Sequence, residues 1–200
     1  MSTLEKLGRK ELPALHDEAL TAWYKDKPAA VEPGADLNSL ILAQHFCNFS
    51  LWNHEDEARR RDVPDSYIAD TKRAIDKWNQ RRNDLIERID VLMLEEFKDC
   101  DISRARQNSE TAGSMVDRCS ILALKIHHMG INATRKDDLE VAMQSAAKLT
   151  VLRTQRDDLA GCLEELLEDY AAGRRFFKLY RQYKAYNDPR LNPALYTRKG

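Results

Sequence analysis

The sequence predicts an all-α protein, an antiparallel bundle of about five to six helices followed by an irregular C-terminal tail. Charged residues make up 32% of the chain, and its 200 residues include only seven glycines and six prolines. That composition favours long helices. Apolar residues recur at helical spacing, whereas the strict alternation that marks strands is absent. Long helices joined by short links pack as antiparallel bundles.

Chain breakers and capping residues define the first three predicted helices. An amphipathic stretch over residues 11–24 ends at the link 27–34, which contains two prolines and a glycine. Asp36 is the expected N-cap of a second helix that reaches about residue 61. A proline-containing turn ends that helix, and Ser66 caps a third that reaches about residue 97.

The C-terminal half contains three more predicted helices. Ser109 or Thr111 caps a fourth that reaches residue 129, and a fifth covers 137–172. Gly173 separates it from a sixth over 174–186, after which prolines forbid further helix. We therefore expect a single domain: an N-terminal helix and linker (1–35), the bundle (36–186) and a tail (187–200).

Charge and hydropathy exclude several classes of partner. The formal net charge is −1, with 32 basic and 33 acidic residues, so we expect no nucleic-acid partner. The N-terminus lacks the apolar segment of a signal peptide, and no apolar run is long enough to span a bilayer. The four cysteines are widely spaced. These observations predict a cytoplasmic protein with free thiols and no membrane span.

The second helix carries a polar stripe that faces inward. At 100° per residue, Trp52, Glu55 and Arg59 fall within about 60° of Asn48. Apolar residues flank this stripe on both sides. The stripe is therefore expected inside the bundle, where unpaired charges are costly.

The next three helices repeat this arrangement. On the third, Arg82 is centred in an apolar arc, and Asn79, Asn83 and Asp90 line its edge. On the fourth and fifth helices, the cations lie beside or among apolar residues. The bases expected to point inward are Arg59, Arg82, Arg118, Lys125 and Arg156.

These five inward bases outnumber the acids that clearly point inward, Glu55 and Asp90, while Asp56 and Asp117 are marginal. An excess of buried cations favours a bound anion, and the arginine fork suits phosphate or carboxylate. We therefore expect a small anionic metabolite in this layer, with Trp52 as a wall. The candidate ligand-binding residues are Asn48, Trp52, Arg59, Asn79, Arg82, Asn83, Asp90, Asp117, Arg118, Lys125 and Arg156.

Two other uses of this layer stay open. Glu55, Asp56 and Asp90 are candidate Mg²⁺ ligands for a hydrolase acting on a phosphate ester or nucleotide. Alternatively, the layer is an internal salt-bridge network that fixes helix register in a structural or partner-binding bundle. Whether the protein is an enzyme stays open too; if it is, Glu55 is the expected acid or base. A homodimer is a further alternative.

Three segments resemble a bacterial all-helical family known only as a domain of unknown function. They are Asn48-Phe-Ser-Leu-Trp-Asn-His-Glu-Asp-Glu-Ala-Arg59, Asn79-Gln-Arg-Arg-Asn-Asp84 and Gly113-Ser-Met-Val-Asp-Arg-Cys-Ser-Ile-Leu-Ala-Leu-Lys125. The similar family pattern reads N-x-x-L-W-x-x-E-D-x-A-R, N-x-x-R-N-D and G-S-x-x-D-R-x-S-I-L-x-L-K. Members of that family accompany cell-envelope polysaccharide genes, so the resemblance implies a phosphorylated sugar or nucleotide sugar as ligand. It implies no catalytic roles.

Overall fold

A computed structural model of the chain describes residues 7–26, 28–181 and 188–193. Within these residues it contains five helices and one short pair of strands, in line with the predicted all-α fold. The helices are α1 (Glu11–Lys25), α2 (Leu37–Glu57), α3 (Asp65–Glu96), α4 (Ala112–Ala133) and α5 (Leu139–Ala171). The strands β1 (Arg106–Gln107) and β2 (Arg175–Phe176) pair in parallel.

Two helix starts follow the predicted capping chemistry. The predicted cap of α3 is wrong, because α3 begins at Asp65 after Pro64 and Ser66 lies within its first turn. The Asp36 carboxylate accepts a hydrogen bond from the Ser39 backbone N–H at 3.1 Å, which caps α2. The Thr111 hydroxyl accepts from the Ser114 N–H at 3.2 Å, which caps α4. Each side chain satisfies one of the backbone donors that a helix leaves unpaired in its first turn. The predicted caps at these two positions are confirmed.

The predicted sixth helix is wrong over residues 174–181. Gly173 has a φ of +68° and ends the helical path. The chain then pairs with β1, since the Asn108 N–H donates to the Phe176 carbonyl at 2.7 Å. Phe177 is buried against Tyr170 instead of lying on a helix face. The rest of the predicted helix, 182–186, lies outside the described residues, as does most of the predicted tail.

Helix α4 lies at the centre of the bundle and contacts each of the other four helices. The sequence indicates this position, because α4 is apolar on almost all sides. Helix α1 also belongs to the core, where Leu12, Leu20 and Trp23 are buried. No helix in the described ranges is long and apolar enough to cross a membrane.

Candidate functional site

A cavity of about 410 Å³ lies between α2, α3 and α4, and we name it the Arg82 cavity. It gathers side chains from all three helices. Its lining consists of Asn48, Leu51, Trp52, Glu55, Asp56, Arg59, Arg82, Ile121 and Leu124. The structure therefore brings together at one place several residues that the sequence nominates.

Helix α2 supplies most of this lining because of its periodicity. Asn48, Trp52 and Glu55 follow each other at spacings of four and three residues, so they share one face of the helix. The face points toward α3 and α4 because apolar residues such as Phe46 and Leu40, on either side of it, are buried. The polar stripe expected on this helix is the wall of the cavity.

Arg82 faces a largely buried acid, Asp117, at the cavity. Its Nε lies 3.9 Å from Asp117 Oδ1, too far for a hydrogen bond. Asp117 Oδ1 already accepts from Gln44 Nε2 at 2.5 Å and from Asn48 Nδ2 at 2.9 Å. Burial raises the pKa of Asp117, while the Arg82 charge and the Asn48 hydrogen bond act to lower it.

The Arg82 guanidinium is only loosely neutralised. Its buried Nε finds no hydrogen-bond acceptor in the described part of the chain. The side chain is 25% exposed, so the rest of the group borders the cavity. A guanidinium with unused donors beside a cavity is suited to a carboxylate or phosphate oxygen.

A chain of buried hydrogen bonds continues from Asn48 to two histidines. Asn48 Nδ2 donates to the Ser120 hydroxyl oxygen at 2.8 Å, and Ser120 Oγ lies 2.6 Å from His45 Nδ1. His45 Nε2 lies 3.2 Å from the His16 carbonyl, which only accepts, so Nε2 carries the proton. Ser120 therefore donates to Nδ1. Burial lowers the pKa of His45 to about 3, which keeps the ring neutral.

His16 lies fully buried beside this chain. Its ring centroid is 4.4 Å from that of His45, and neither ring nitrogen has a hydrogen-bond partner among the described residues. Burial, then the neighbouring His45 and Arg156, lower the pKa of His16 well below its ordinary value. His16 is thus held in its neutral form.

Trp52 forms the aromatic wall of the Arg82 cavity. Its indole stacks on His128 with the ring centroids 4.4 Å apart and the planes 10° apart. His128 is fixed in turn by Tyr24, whose hydroxyl lies 2.6 Å from His128 Nε2. Trp52 therefore lines the cavity, with His128 and Tyr24 as its support, and its contact with a ligand stays a prediction.

The expected convergence of five inward cations is wrong, because Arg59 and Arg82 line the Arg82 cavity and the other three bases do not. Arg59 is 68% exposed and pairs with Glu55 at 3.2 Å. Arg118 is 54% exposed and pairs with Glu110 at 2.6 Å. The reason is that a helical projection fixes only the direction in which the side chain leaves the helix, and a long arginine then bends toward water.

Arg156 is largely buried, in line with its expected inward direction, but it lines neither the Arg82 cavity nor the cavity beside Arg118. Its side chain is 14% exposed and pairs with Asp17 of α1 at 2.6 Å. It faces α1 because that helix packs against α4 and α5 as part of the core. The Arg156 ion pair stabilises this packing and does not line the Arg82 cavity.

A second cavity of about 690 Å³, the Arg118 cavity, lies between α4 and α5. Arg118 and Lys125 line it, together with Glu110 and Asp158. Ile121 lines both this cavity and the Arg82 cavity. Two of the nominated bases therefore lie next to the first site and not within it.

Asp90 serves the fold itself. It is 2% exposed, and its Oδ1 accepts from the Gly113 N–H in the first turn of α4 at 2.6 Å. Burial raises its pKa to about 6, although the hydrogen bonds from Thr111 and Gly113 act to lower it. The carboxylate holds the start of α4, where the helix dipole favours negative charge. Asn79 and Asn83, on the same helix α3, do not line the Arg82 cavity either.

The acids nominated for Mg²⁺ do not meet. Glu55 and Asp56 line the Arg82 cavity, whereas Asp90 is bonded to the start of α4. The part of the chain that the structure describes has no group of three or more His, Cys, Asp or Glu side chains placed to hold a metal ion. Glu55 also pairs with Arg59 and with Lys72, at 3.2 and 3.4 Å.

Sequence reasoning left Gln44, Ser120 and His16 out of the candidate site. Gln44 has a signal, because it lies four residues before Asn48 on the polar stripe. Ser120 has one too, because it lies three residues after Asp117 within the third family-like segment. His16 has none, because its contact with His45 depends on how α1 docks.

Fold and cavity together define an all-α bundle protein with a polar site between three of its helices. The chain belongs to a family described as a protein of unknown function (DUF4254), whose model matches residues 38–179. The matched segment includes every residue that lines the Arg82 cavity. No curated protein and no solved structure matches the chain.

Proposed function

We propose that the protein binds a small anionic metabolite, phosphorylated or carboxylated, in the Arg82 cavity. Its volume of about 410 Å³ is within the range of small-molecule sites, and Trp52 gives it an apolar wall. In this proposal Arg82 contacts the anionic group. Asn48, Glu55 and Asp56 form hydrogen bonds with the other polar groups of the ligand.

The environment of Arg82 is the observation that carries this proposal. Arg118 and Arg156 each lie 2.6 Å from a carboxylate oxygen, whereas Arg82 lies 3.9 Å from the carboxylate that faces it. The Oδ1 atom of Asp117 accepts hydrogen bonds from Gln44 and Asn48 instead. A buried N–H without an acceptor, such as Arg82 Nε, is unfavourable, so a ligand oxygen that accepts from this guanidinium would stabilise the complex.

The charged side chains that line the cavity restrict which functional groups the ligand carries. Two acids, Glu55 and Asp56, line it together with two bases, Arg59 and Arg82. An anion without hydroxyl groups makes no favourable contact with the two acids. A ligand that carries both hydroxyl groups and an anionic group can form hydrogen bonds with all four side chains. Sugar phosphates and nucleotide sugars have this composition. The resemblance to a family that accompanies cell-envelope polysaccharide genes supports the same choice.

Thermal unfolding with candidate ligands tests the proposal. Inorganic phosphate, glucose 1-phosphate and UDP-glucose are each added with EDTA and, separately, with Mg²⁺. A ligand at 100 times its Kd adds about 2.7 kcal/mol to the free energy of unfolding, which raises the midpoint measurably. Stabilisation in EDTA supports the proposal. Stabilisation that needs Mg²⁺ supports the metal-dependent hydrolase instead.

Variants of Arg82 separate a binding site from a structural network. Arg82→Lys keeps a cation beside Asp117 but loses the planar fork, so we expect a stable protein with a weakened ligand response. Arg82→Met should abolish the response. Arg73→Met, on the exposed side of the same helix, is the matched control and should keep it. A full response in Arg82→Met, or a protein that unfolds in both Arg82 variants, refutes the proposed site.

Catalysis is a separate question. Glu55 lines the cavity beside Arg82 and stays our candidate acid or base if a reaction follows binding. The cytoplasmic location and the alternative of a homodimer stay predictions as well.

A further inference from the structure

An apolar groove adjoins the Arg82 cavity, and we name it the Val151 groove. It has a volume of about 610 Å³ and lies along α4 and α5. Its lining consists of Trp52, Lys125, His128, Met129, Asn132, Ala147, Lys148, Val151, Leu152 and Gln155. Val151 is 56% exposed, which leaves a large apolar side chain in contact with water.

The groove shares a lining residue with the proposed binding site. Trp52 lines both the Arg82 cavity and the Val151 groove. Lys125 lines both the groove and the Arg118 cavity, which in turn meets the Arg82 cavity at Ile121. A molecule bound beside Arg82 that extends past Trp52 would therefore enter the groove.

The charge of the groove points to one class of occupant. Its charged lining consists of two lysines, Lys125 and Lys148, with no Asp or Glu among the lining residues. Both lysines are exposed, and neither pairs with a carboxylate of the described residues. An apolar floor with cations at its rim complements an anion that carries a hydrocarbon chain.

We propose that the ligand is an amphipathic anion, with its polar head in the Arg82 cavity and an alkyl or prenyl chain in the Val151 groove. This proposal rests on the proposed function, since the head site is the Arg82 cavity. Lys125 and Lys148 then lie beside the anionic group that joins the head of the ligand to its hydrocarbon chain. The hydrocarbon chain covers Val151 and Leu152. Burial of the chain would remove apolar surface of both partners from water.

Binding of an alkyl phosphate series measures this directly. Methyl, butyl, hexyl and octyl phosphate are titrated below their micelle concentrations, and the Kd of each is measured by calorimetry. Each methylene buried in the groove should lower the Kd by up to about fourfold. The Kd should stop falling once the chain fills the groove.

Two substitutions at neighbouring residues test whether the hydrocarbon chain of the ligand lies in the Val151 groove. Ala147 lines the groove and is exposed, whereas Ala146 is exposed but does not line it. In Ala147→Phe the new ring occupies the groove, so hexyl phosphate should bind no more tightly than methyl phosphate. In Ala146→Phe the dependence on chain length should match the wild type. Equal dependence in both variants overturns the proposal.

The remaining outcomes separate the two proposals. Methyl phosphate that binds through Arg82, with no gain from longer chains, leaves the proposed function intact and overturns the amphipathic ligand. Chain-dependent binding that survives Arg82→Met but not Ala147→Phe shows a lipid groove without the head site, and overturns both. Binding to phosphatidylglycerol vesicles but not to hexyl phosphate makes the groove a membrane contact and overturns the amphipathic ligand.

Discussion

The buried histidine pair predicts that the protein loses stability on mild acidification. His16 and His45 are both fully buried, and burial is the largest cause that lowers the pKa of each below the ordinary value of 6.5. In the unfolded chain both rings take up a proton as the pH falls through 6.5. The unfolded state then binds more protons than the folded state. Stability is therefore complete above pH 6.5 and is lost as the pH falls below it.

The linkage relation gives the size of this loss. Between pH 7 and pH 5, each histidine that stays neutral in the folded state lowers the free energy of unfolding by about 2 kcal/mol. Asp90 acts in the opposite direction, because its pKa is raised to about 6 and the folded state gains a proton in this range. Its contribution offsets about 1 kcal/mol. The raised pKa of Asp117 adds to that offset. His127 and His128 act in the same direction as the buried pair, because burial also lowers the pKa of each. We expect a net loss of about 3 kcal/mol.

His16→Met isolates one of these contributions. At pH 7 we expect an almost unchanged free energy of unfolding, because neither ring nitrogen of His16 has a hydrogen-bond partner among the described residues. At pH 5 the variant should be more stable than the wild type by about 2 kcal/mol. Urea unfolding followed by circular dichroism at both pH values measures the difference. Leu20→Met, a buried substitution on the same helix, is the control and should keep the wild-type pH dependence. An identical loss in His16→Met and the wild type refutes the reasoning.

Two further substitutions, at Gly113 and Asp90, test the contact between α3 and α4, and a third at Gly130 is the open-site comparison. In Gly113→Ala the new Cβ would lie 2.6 Å from the Ile86 carbonyl oxygen, so urea unfolding should show a loss of about 2 kcal/mol. In Gly130→Ala the Cβ meets nothing within 4 Å, so the same assay should show a gain of up to about 1 kcal/mol. Asp90→Asn removes the raised pKa, so its stability relative to the wild type should rise by about 2 kcal/mol between pH 4 and pH 7. A flat difference over that range contradicts the burial of the Asp90 charge.

The helices are predictable because their signals are local. Asp36 and Thr111 cap helices through side chains that reach only the next turn, so the sequence alone locates them. The wall of the Arg82 cavity is predictable for the same reason, since Asn48 and Trp52 are short or stiff side chains on one helix face. Local spacing is enough where the side chain stays close to its own backbone.

The ion-pair partners of the arginines cannot be predicted from local spacing. A projection places the first atoms of Arg118 and Arg156, but their ion pairs depend on Glu110 in a preceding link and on Asp17 in α1. Neither partner is on the helix that carries the arginine. The segment 174–181 fails similarly, because its strand pairing depends on β1, some 70 residues earlier in the sequence. Contacts of this kind are set by tertiary packing and are not present in local spacing.

Residues from all three family-like segments lie next to one another in the fold. The first supplies Asn48, the second Arg82, and the third Asp117 and Ser120. The helical projection leaves the direction of Asp117 marginal, so its role is not evident from the sequence. In the structure it accepts from Asn48 and faces Arg82, which explains why all three segments are polar at these positions. A network built only for stability would close the Arg82 ion pair, as it closes that of Arg156 at 2.6 Å. The open pair beside a cavity therefore favours a site for a ligand.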